Sequence, residues 1–109
     1  MLMKLMKPIV ITPGEILLED YLKPMNITQE ALAREIGTNV QTVRKIISGE
    51  QKISPEISLR LGLFFKQGPR FWYNVQTSCD FEKLKTEQKK IASKVRSNYE
   101  DFIGCLATV

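Results

Sequence analysis

The chain has 109 residues, 43% of them hydrophobic and 26% charged, with a formal net charge of +4, two cysteines and no histidine. That size and balance fit one soluble globular domain, and the missing imidazole excludes a Ser-His-Asp triad, a Cys-His dyad and every metal site that needs histidine. Cys79 and Cys105 are too few for a four-thiolate zinc site and do not stand in a CxxC spacing, so no cofactor, metal or enzymatic activity is expected.

Residues 1–11 read as an N-terminal lead-in. Lys4 and Lys7 interrupt its apolar residues before a signal-peptide core can develop. No uncharged run approaches the roughly 20 apolar residues that cross a bilayer, which predicts a cytoplasmic protein that makes no membrane contact. The triplet Ile9-Val10-Ile11 is β-branched but too short to form a sheet alone, and it reads as an apolar lead-in that pairs, if at all, with a partner or symmetry mate.

Helical punctuation begins at Thr12-Pro13-Gly14-Glu15. Thr12 suits an N-cap and Pro13 the first helical position, with Leu18, Tyr21, Leu22 and Met25 following at helical spacing. Lys23-Pro24 predicts the end of that helix, because proline disfavours helical backbone at the residue before it. Thr28 then caps a second helix, Gln29 to Ile36, with Leu32, Ala33 and Ile36 on one face and Gly37 where a left-handed stop is expected. Asn39 caps a third, Val40 to about Ser48, with Val43, Ile46 and Ile47 inward and Gly49 stopping it.

Ser54-Pro55 opens a fourth helix to about Lys66, with Ile57, Leu61, Phe64 and Phe65 inward and Gln67-Gly68 as its exit. Pro69 starts a fifth that carries Phe71, Trp72 and Val75. Residues 12–81 thus read as one all-helical domain. Residues 82–109 read as a partly ordered helical extension, in which Leu84, Ile91, Val95 and Tyr99 form an apolar set too sparse to bury much. Residues 82–101 carry six Lys or Arg against four acids, the pattern of a solvated face.

Gln29 to Ile47 fits a helix-turn-helix. Two helices crossing steeply need a small residue where their backbones approach (Ala33), a glycine at the turn (Gly37), and branched apolar residues to lock them together (Leu32, Ile36, Val43 and Ile46). The outer face of the third helix then decides what the motif does. It offers Val40, Gln41, Thr42, Arg44 and Lys45 and contains no acid. Gln reads adenine bidentately, Arg reads guanine, and Thr or Val can touch a thymine methyl, so these five are the expected base contacts in a DNA major groove.

Phosphate contacts are expected at the start of the second helix, from Thr28 and Gln29, and from Lys52 in the loop after the third. So few contacts in one domain bind weakly at physiological salt, so useful affinity requires a homodimer on two half-sites about one helical turn apart. Phe71, Trp72, Val75 and Phe81 are the expected dimer surface. Hydrolysis is not supported, because the adjacent acids Glu19-Asp20 and Glu100-Asp101 diverge on a helix.

The helix-turn-helix resembles the phage-repressor-like, or Xre-type, domain, and its flanks are similar to those of the HigA-type, or VapI-like, antitoxins. The carrying residues are Pro13-Gly14-Glu15-Ile16-Leu17, Leu22-Lys23-Pro24, Ile27-Thr28-Gln29, Ile53-Ser54-Pro55-Glu56-Ile57-Ser58-Leu59-Arg60-Leu61 and Phe71-Trp72-Tyr73-Asn74-Val75-Gln76. The resemblance implies an all-α, five-helix phage-repressor-like helix-turn-helix domain with a C-terminal helical extension. It implies a bacterial homodimer that binds double-stranded operator DNA, represses its own operon and neutralises a HigB-type toxin, a RelE-like mRNA-cleaving ribonuclease, with no small-molecule substrate. The family's base readers correspond to Val40, Gln41, Thr42, Arg44 and Lys45, and its phosphate binder to Gln29.

Two stretches depart from the family pattern. Thr12 stands where a histidine is usual, and Ser48-Gly49-Glu50 replaces Asn-Gly-Lys, which puts an acid near phosphate. A repressor without a toxin partner and a protein-interaction module of the same fold are the alternative readings. The first is distinguished by its genomic neighbourhood and the second by the lack of salt-dependent DNA binding.

Overall fold

The computed structural model describes residues 11–95. The lead-in residues Ile9 and Val10, the basic-tail residues from Arg96 to Asp101 and Cys105 lie outside the described residues. Among the described residues there is no strand, in keeping with an all-α fold.

Helix α1 is one continuous run made of an α turn, Pro13–Ile16, a π-helical segment, Leu17–Leu22, and a short α segment, Lys23–Met25. Thr12 caps it, its hydroxyl accepting the Glu15 amide at 3.1 Å. The expected stop at Lys23-Pro24 is corrected. The helix continues through Pro24 and ends at Asn26, which closes it in the left-handed region at φ 58°. Proline lacks an N–H and its ring crowds the carbonyl four residues back. The wider π turn, with the Lys23 amide donating to the Leu18 carbonyl, accompanies the helix through that position. It also changes which residues face inward. Leu17 and Leu22, five apart, are both buried, while Met25 is 52% exposed.

The next three helices keep the expected bounds closely: α2, Gln29–Ile36; α3, Val40–Ser48; α4, Pro55–Phe65. Their caps are the expected Thr28, Asn39 and Ser54, each side-chain oxygen accepting an amide of its own first turn. Gly37 at φ 75° and Gly49 at φ 86° end α2 and α3, and Lys66 at φ 57° ends α4. Helix α5, Phe71–Leu84, begins two residues later than Pro69 and runs past residue 81. It continues into a 3₁₀ turn, Lys85–Glu87, and α6, Gln88–Lys94, neither of which has a buried residue.

One core joins α1 to α5. Leu17, Leu22, Leu32, Ala33, Ile36, Val43, Ile46, Ile53, Ile57, Leu61 and Trp72 are buried together, each large apolar side chain contributing about 1.5–3 kcal/mol relative to exposure. Trp72, fully buried, donates its indole N–H to Gln67 at 2.8 Å, and Gln67 donates to the Tyr21 hydroxyl at 3.0 Å. Tyr21 lies edge-on to Trp72 with ring centroids 5.0 Å apart. No buried side-chain polar atom among the described residues lacks a partner.

Gly14 explains the Pro-Gly-Glu signature physically. A Cβ on Gly14 would collide with the backbone carbonyl oxygen of Ile46 and come within 2.6 Å of that of Ile47. The start of α1 is therefore pressed against the C-terminal end of α3, an approach that only glycine permits.

Candidate nucleic-acid interface

The putting together of α2 and α3 depends on local signals that are close in sequence. Asn39 fixes the start of α3 by accepting both the Thr42 amide at 2.8 Å and the Thr42 hydroxyl at 3.0 Å. Val43 and Ile46 point into the core, which turns the opposite face outward. From the other side, Arg60 of α4 donates to the carbonyls of Ile36 at 2.8 Å and Gly37 at 3.3 Å. A guanidinium there satisfies carbonyls left open at the C-terminus of α2 and complements its dipole. The motif is thus held by packing, a cap and a cation.

On the outward face, Gln41, Arg44 and Lys45 are exposed. Val40 and Thr42 are half-buried: Val40 packs partly against the core, and Thr42 spends its hydroxyl proton on Asn39. The five residues therefore share one helix but offer different chemistry, three long polar side chains free of the core and two short ones at its edge. No acid occurs within α3, and Glu50 is exposed just beyond it.

Thr28 is exposed and Gln29 half-buried at the first turn of α2, where unpaired amides give positive potential. Thr28 already accepts the Ala31 amide at 3.0 Å. Lys52 lies beyond the other end of α3, lining a small cavity of about 50 Å³ with Gly49 and Lys83. Its ammonium is 3.3 Å from Asp80 of α5, an exposed lysine against a half-buried acid.

The residues expected at a dimer surface divide. Phe81 is 65% and Phe71 38% exposed, and Val75 is half-buried, so these three remain on the surface of α5. Trp72 is corrected: with 0% exposure it is a core residue, enclosed by Tyr21, Phe65 and Phe71 within its own chain, and it has no surface to offer a second copy.

Four contacts around this face escape sequence reasoning. Arg44 donates to Glu30 of α2 at 3.1 Å across fourteen residues of sequence. Asp80 pairs with Lys52, and Gln76, a buried amide, accepts the Ile53 amide at 3.0 Å while donating to Asp80 at 3.0 Å. The Glu30 carboxyl is held below the ordinary carboxylate range, first by its own backbone amide and next by Arg44. The one available sequence signal is Glu30 in the first turn of α2, where an acid favours the helix dipole. It does not reveal the arginine it meets.

Comparison with known proteins places this geometry in context. Residues 18–71 match the helix-turn-helix family. The chain is similar to Virulence-associated protein I of Dichelobacter nodosus, 33% identical over 74% of this chain and 75% of that protein. It is also similar to Antitoxin HigA-1 of Vibrio cholerae, 30% identical over 79% of this chain and 81% of that protein. Among solved structures, Pseudomonas aeruginosa antitoxin HigA with the higBA promoter superposes with a TM-score of 0.74 at 31% identity, covering 83% of this chain and 97% of that one.

Proposed function

The chain belongs to the HigA/VapI family of helix-turn-helix proteins, and from that premise we propose that it is a sequence-specific DNA-binding antitoxin. It represses its own toxin-antitoxin operon and neutralises a HigB-type, RelE-like toxin that cuts mRNA. The observation that carries the DNA half is α3 itself, an acid-free helix that presents Gln41, Arg44 and Lys45 to solvent while Val43 and Ile46 anchor it. The toxin half is supported by likeness to proteins named antitoxins.

In this reading α3 lies in the major groove. Gln41 and Arg44 read base edges bidentately, Val40 and Thr42 approach thymine methyls, and Lys45 reaches a base or the adjoining backbone. Thr28, Gln29 and Lys52 hold phosphates on either side and so fix register without specifying sequence. Two copies related by a twofold axis occupy half-sites about 34–36 Å apart, joined through Phe71, Val75 and Phe81. Residues 12–81 form the DNA-binding domain, flanked by the lead-in 1–11 and the extension 82–109. The protein works in the bacterial cytoplasm, and no helix among the described residues is long and apolar enough to cross a membrane.

Fluorescence anisotropy on the duplex upstream of its own gene, at two salt concentrations and against a scrambled duplex, tests the reading. Preference for the upstream duplex, with log affinity falling linearly with log salt, is expected. Equal binding to both duplexes would refute it. Co-expression with the neighbouring reading frame tests the toxin half: a stable complex and protected mRNA are expected, and free, active ribonuclease would refute it.

A further inference from the structure

Arg44 is not a free cation. Its Nη2 donates to Oε1 of Glu30 at 3.1 Å, and both side chains stay more than half or about half open to solvent, at 50% for Arg44 and 61% for Glu30. An exposed pair of this kind adds little to folding, so the fold does not explain its presence on this face. Glu30 sits in the first turn of α2, next to Thr28 and Gln29, which the operator-binding reading gives to phosphate. A carboxylate there repels phosphate, and its neighbour on α3 is the one guanidinium on the acid-free face.

We propose that Glu30 is a positioning residue that sets base discrimination by holding Arg44 over the groove and away from the DNA backbone, an inference that rests on the operator-binding reading above. Arginine has five N–H donors in a rigid fork. The single contact from Nη2 to Glu30 leaves the other donors available for a purine edge, and it restricts the rotamers of a long, flexible side chain before DNA arrives. Without Glu30, Arg44 swings to the nearest phosphate, where it binds every sequence alike. The acid therefore lowers affinity for random DNA while keeping the specific contact. The carboxyl stays ionised at neutral pH, since its own backbone amide and Arg44 both hold it below the ordinary range.

The test compares wild type, Glu30→Gln, Arg44→Gln and the double variant on the upstream and scrambled duplexes at two salt concentrations. Glu30→Gln is expected to bind the scrambled duplex several-fold more tightly with a steeper salt dependence, and the ratio of upstream to scrambled affinity falls by about five-fold or more. In the Arg44→Gln background, Glu30→Gln leaves that ratio unchanged, because Glu30 acts through Arg44. If Glu30→Gln shifts both duplexes equally, or lowers the ratio as much without Arg44 as with it, the assignment is overturned. A wild-type protein without preference for the upstream duplex refutes operator binding itself and removes the Glu30 role with it. Discrimination by the wild type that is indifferent to Glu30→Gln overturns the Glu30 role alone.

Discussion

The Ser58 hydroxyl accepts the Tyr73 amide at 2.9 Å, so the cap of α5 is supplied by α4 and not by the residue preceding α5. The same hydroxyl donates to the Pro69 carbonyl at 2.7 Å, and Ser58 is fully buried. One side chain therefore satisfies two backbone groups at the turn where α4 hands over to α5. Ser58→Ala removes the partner of both part-buried groups, at up to about 1–3 kcal/mol for each one left unsatisfied. With about 4–8 °C for each kcal/mol in a domain of this size, thermal denaturation should show a clear drop. The exposed Ser78→Ala on α5 should leave the melting temperature unchanged.

Gly14 makes a sharper case, because the obstacle is backbone. Its missing Cβ is what lets the start of α1 lie on the carbonyls of Ile46 and Ile47. Neither carbonyl can rotate away as a side chain would, so Gly14→Ala must push α1 off the end of the recognition helix. Overpacking of a fitted contact costs about 1–3 kcal/mol, and backbone neighbours put this site at the upper end or above it. Chemical denaturation should report that loss. Gly68→Ala, at a site with open space around the glycine, should show much less.

What the residues disclosed in advance was mostly local. Thr28, Asn39 and Ser54 act as caps within their own first turns, and Gly37 and Gly49 act through their own φ angles, so short stretches were enough to place α2, α3 and α4. Pro24 misled because the usual local rule assumes α geometry, and the π segment before it changes the geometry and the inward face together, bringing Leu17 into the core. Trp72 was legible as important but not as internal. Its companions Tyr21 and Gln67 arrive from other elements. Ser58, Gln76, Asp80 and Glu30 act across 14 to 28 residues of sequence, and polar residues at helical positions carry no mark of such partners.

Burial separates two substitutions on α5 that sequence alone treats alike. Trp72→Ala removes a fully buried indole and its hydrogen bond to Gln67, which should cost about 3–5 kcal/mol of stability. Phe81 is 65% exposed, so Phe81→Glu should leave the melting of the monomer fold nearly intact. If the proposed dimer surface is correct, the same change shifts the mass by light scattering toward one copy. An unchanged mass would remove Phe81 from the interface.

Cys79 is buried on α5, and that burial, followed by the neighbouring Asp80, raises its thiol pKa above the ordinary value. A raised folded pKa contributes stability that is present below the unfolded thiol value, about 8.5, and is lost as pH rises through the folded value. In a Cys105→Ser background, alkylation at neutral pH should be slow in buffer and fast in denaturant, because the thiolate is the reactive form. Similar rates in both would show an accessible, ordinary thiol.

Gln41 and Arg44 test base readout most directly, since both are exposed and neither is needed to hold α3 in place. Gln41→Ala or Arg44→Ala should each weaken the upstream duplex by about 1–3 kcal/mol, with a smaller effect on a scrambled duplex and an unchanged melting temperature. Lys52→Ala should behave differently. As a phosphate contact it should weaken both duplexes to a similar degree and reduce the salt slope by about 1. It must also give up Asp80 to reach DNA, which makes its net loss small. If Gln41→Ala instead follows the Lys52 pattern, the residue lies on the backbone and the register of α3 in the groove differs from the one proposed. A uniform loss for Arg44→Ala would place its guanidinium on phosphate, and base recognition would then rest on Gln41 and the short side chains at the start of the helix.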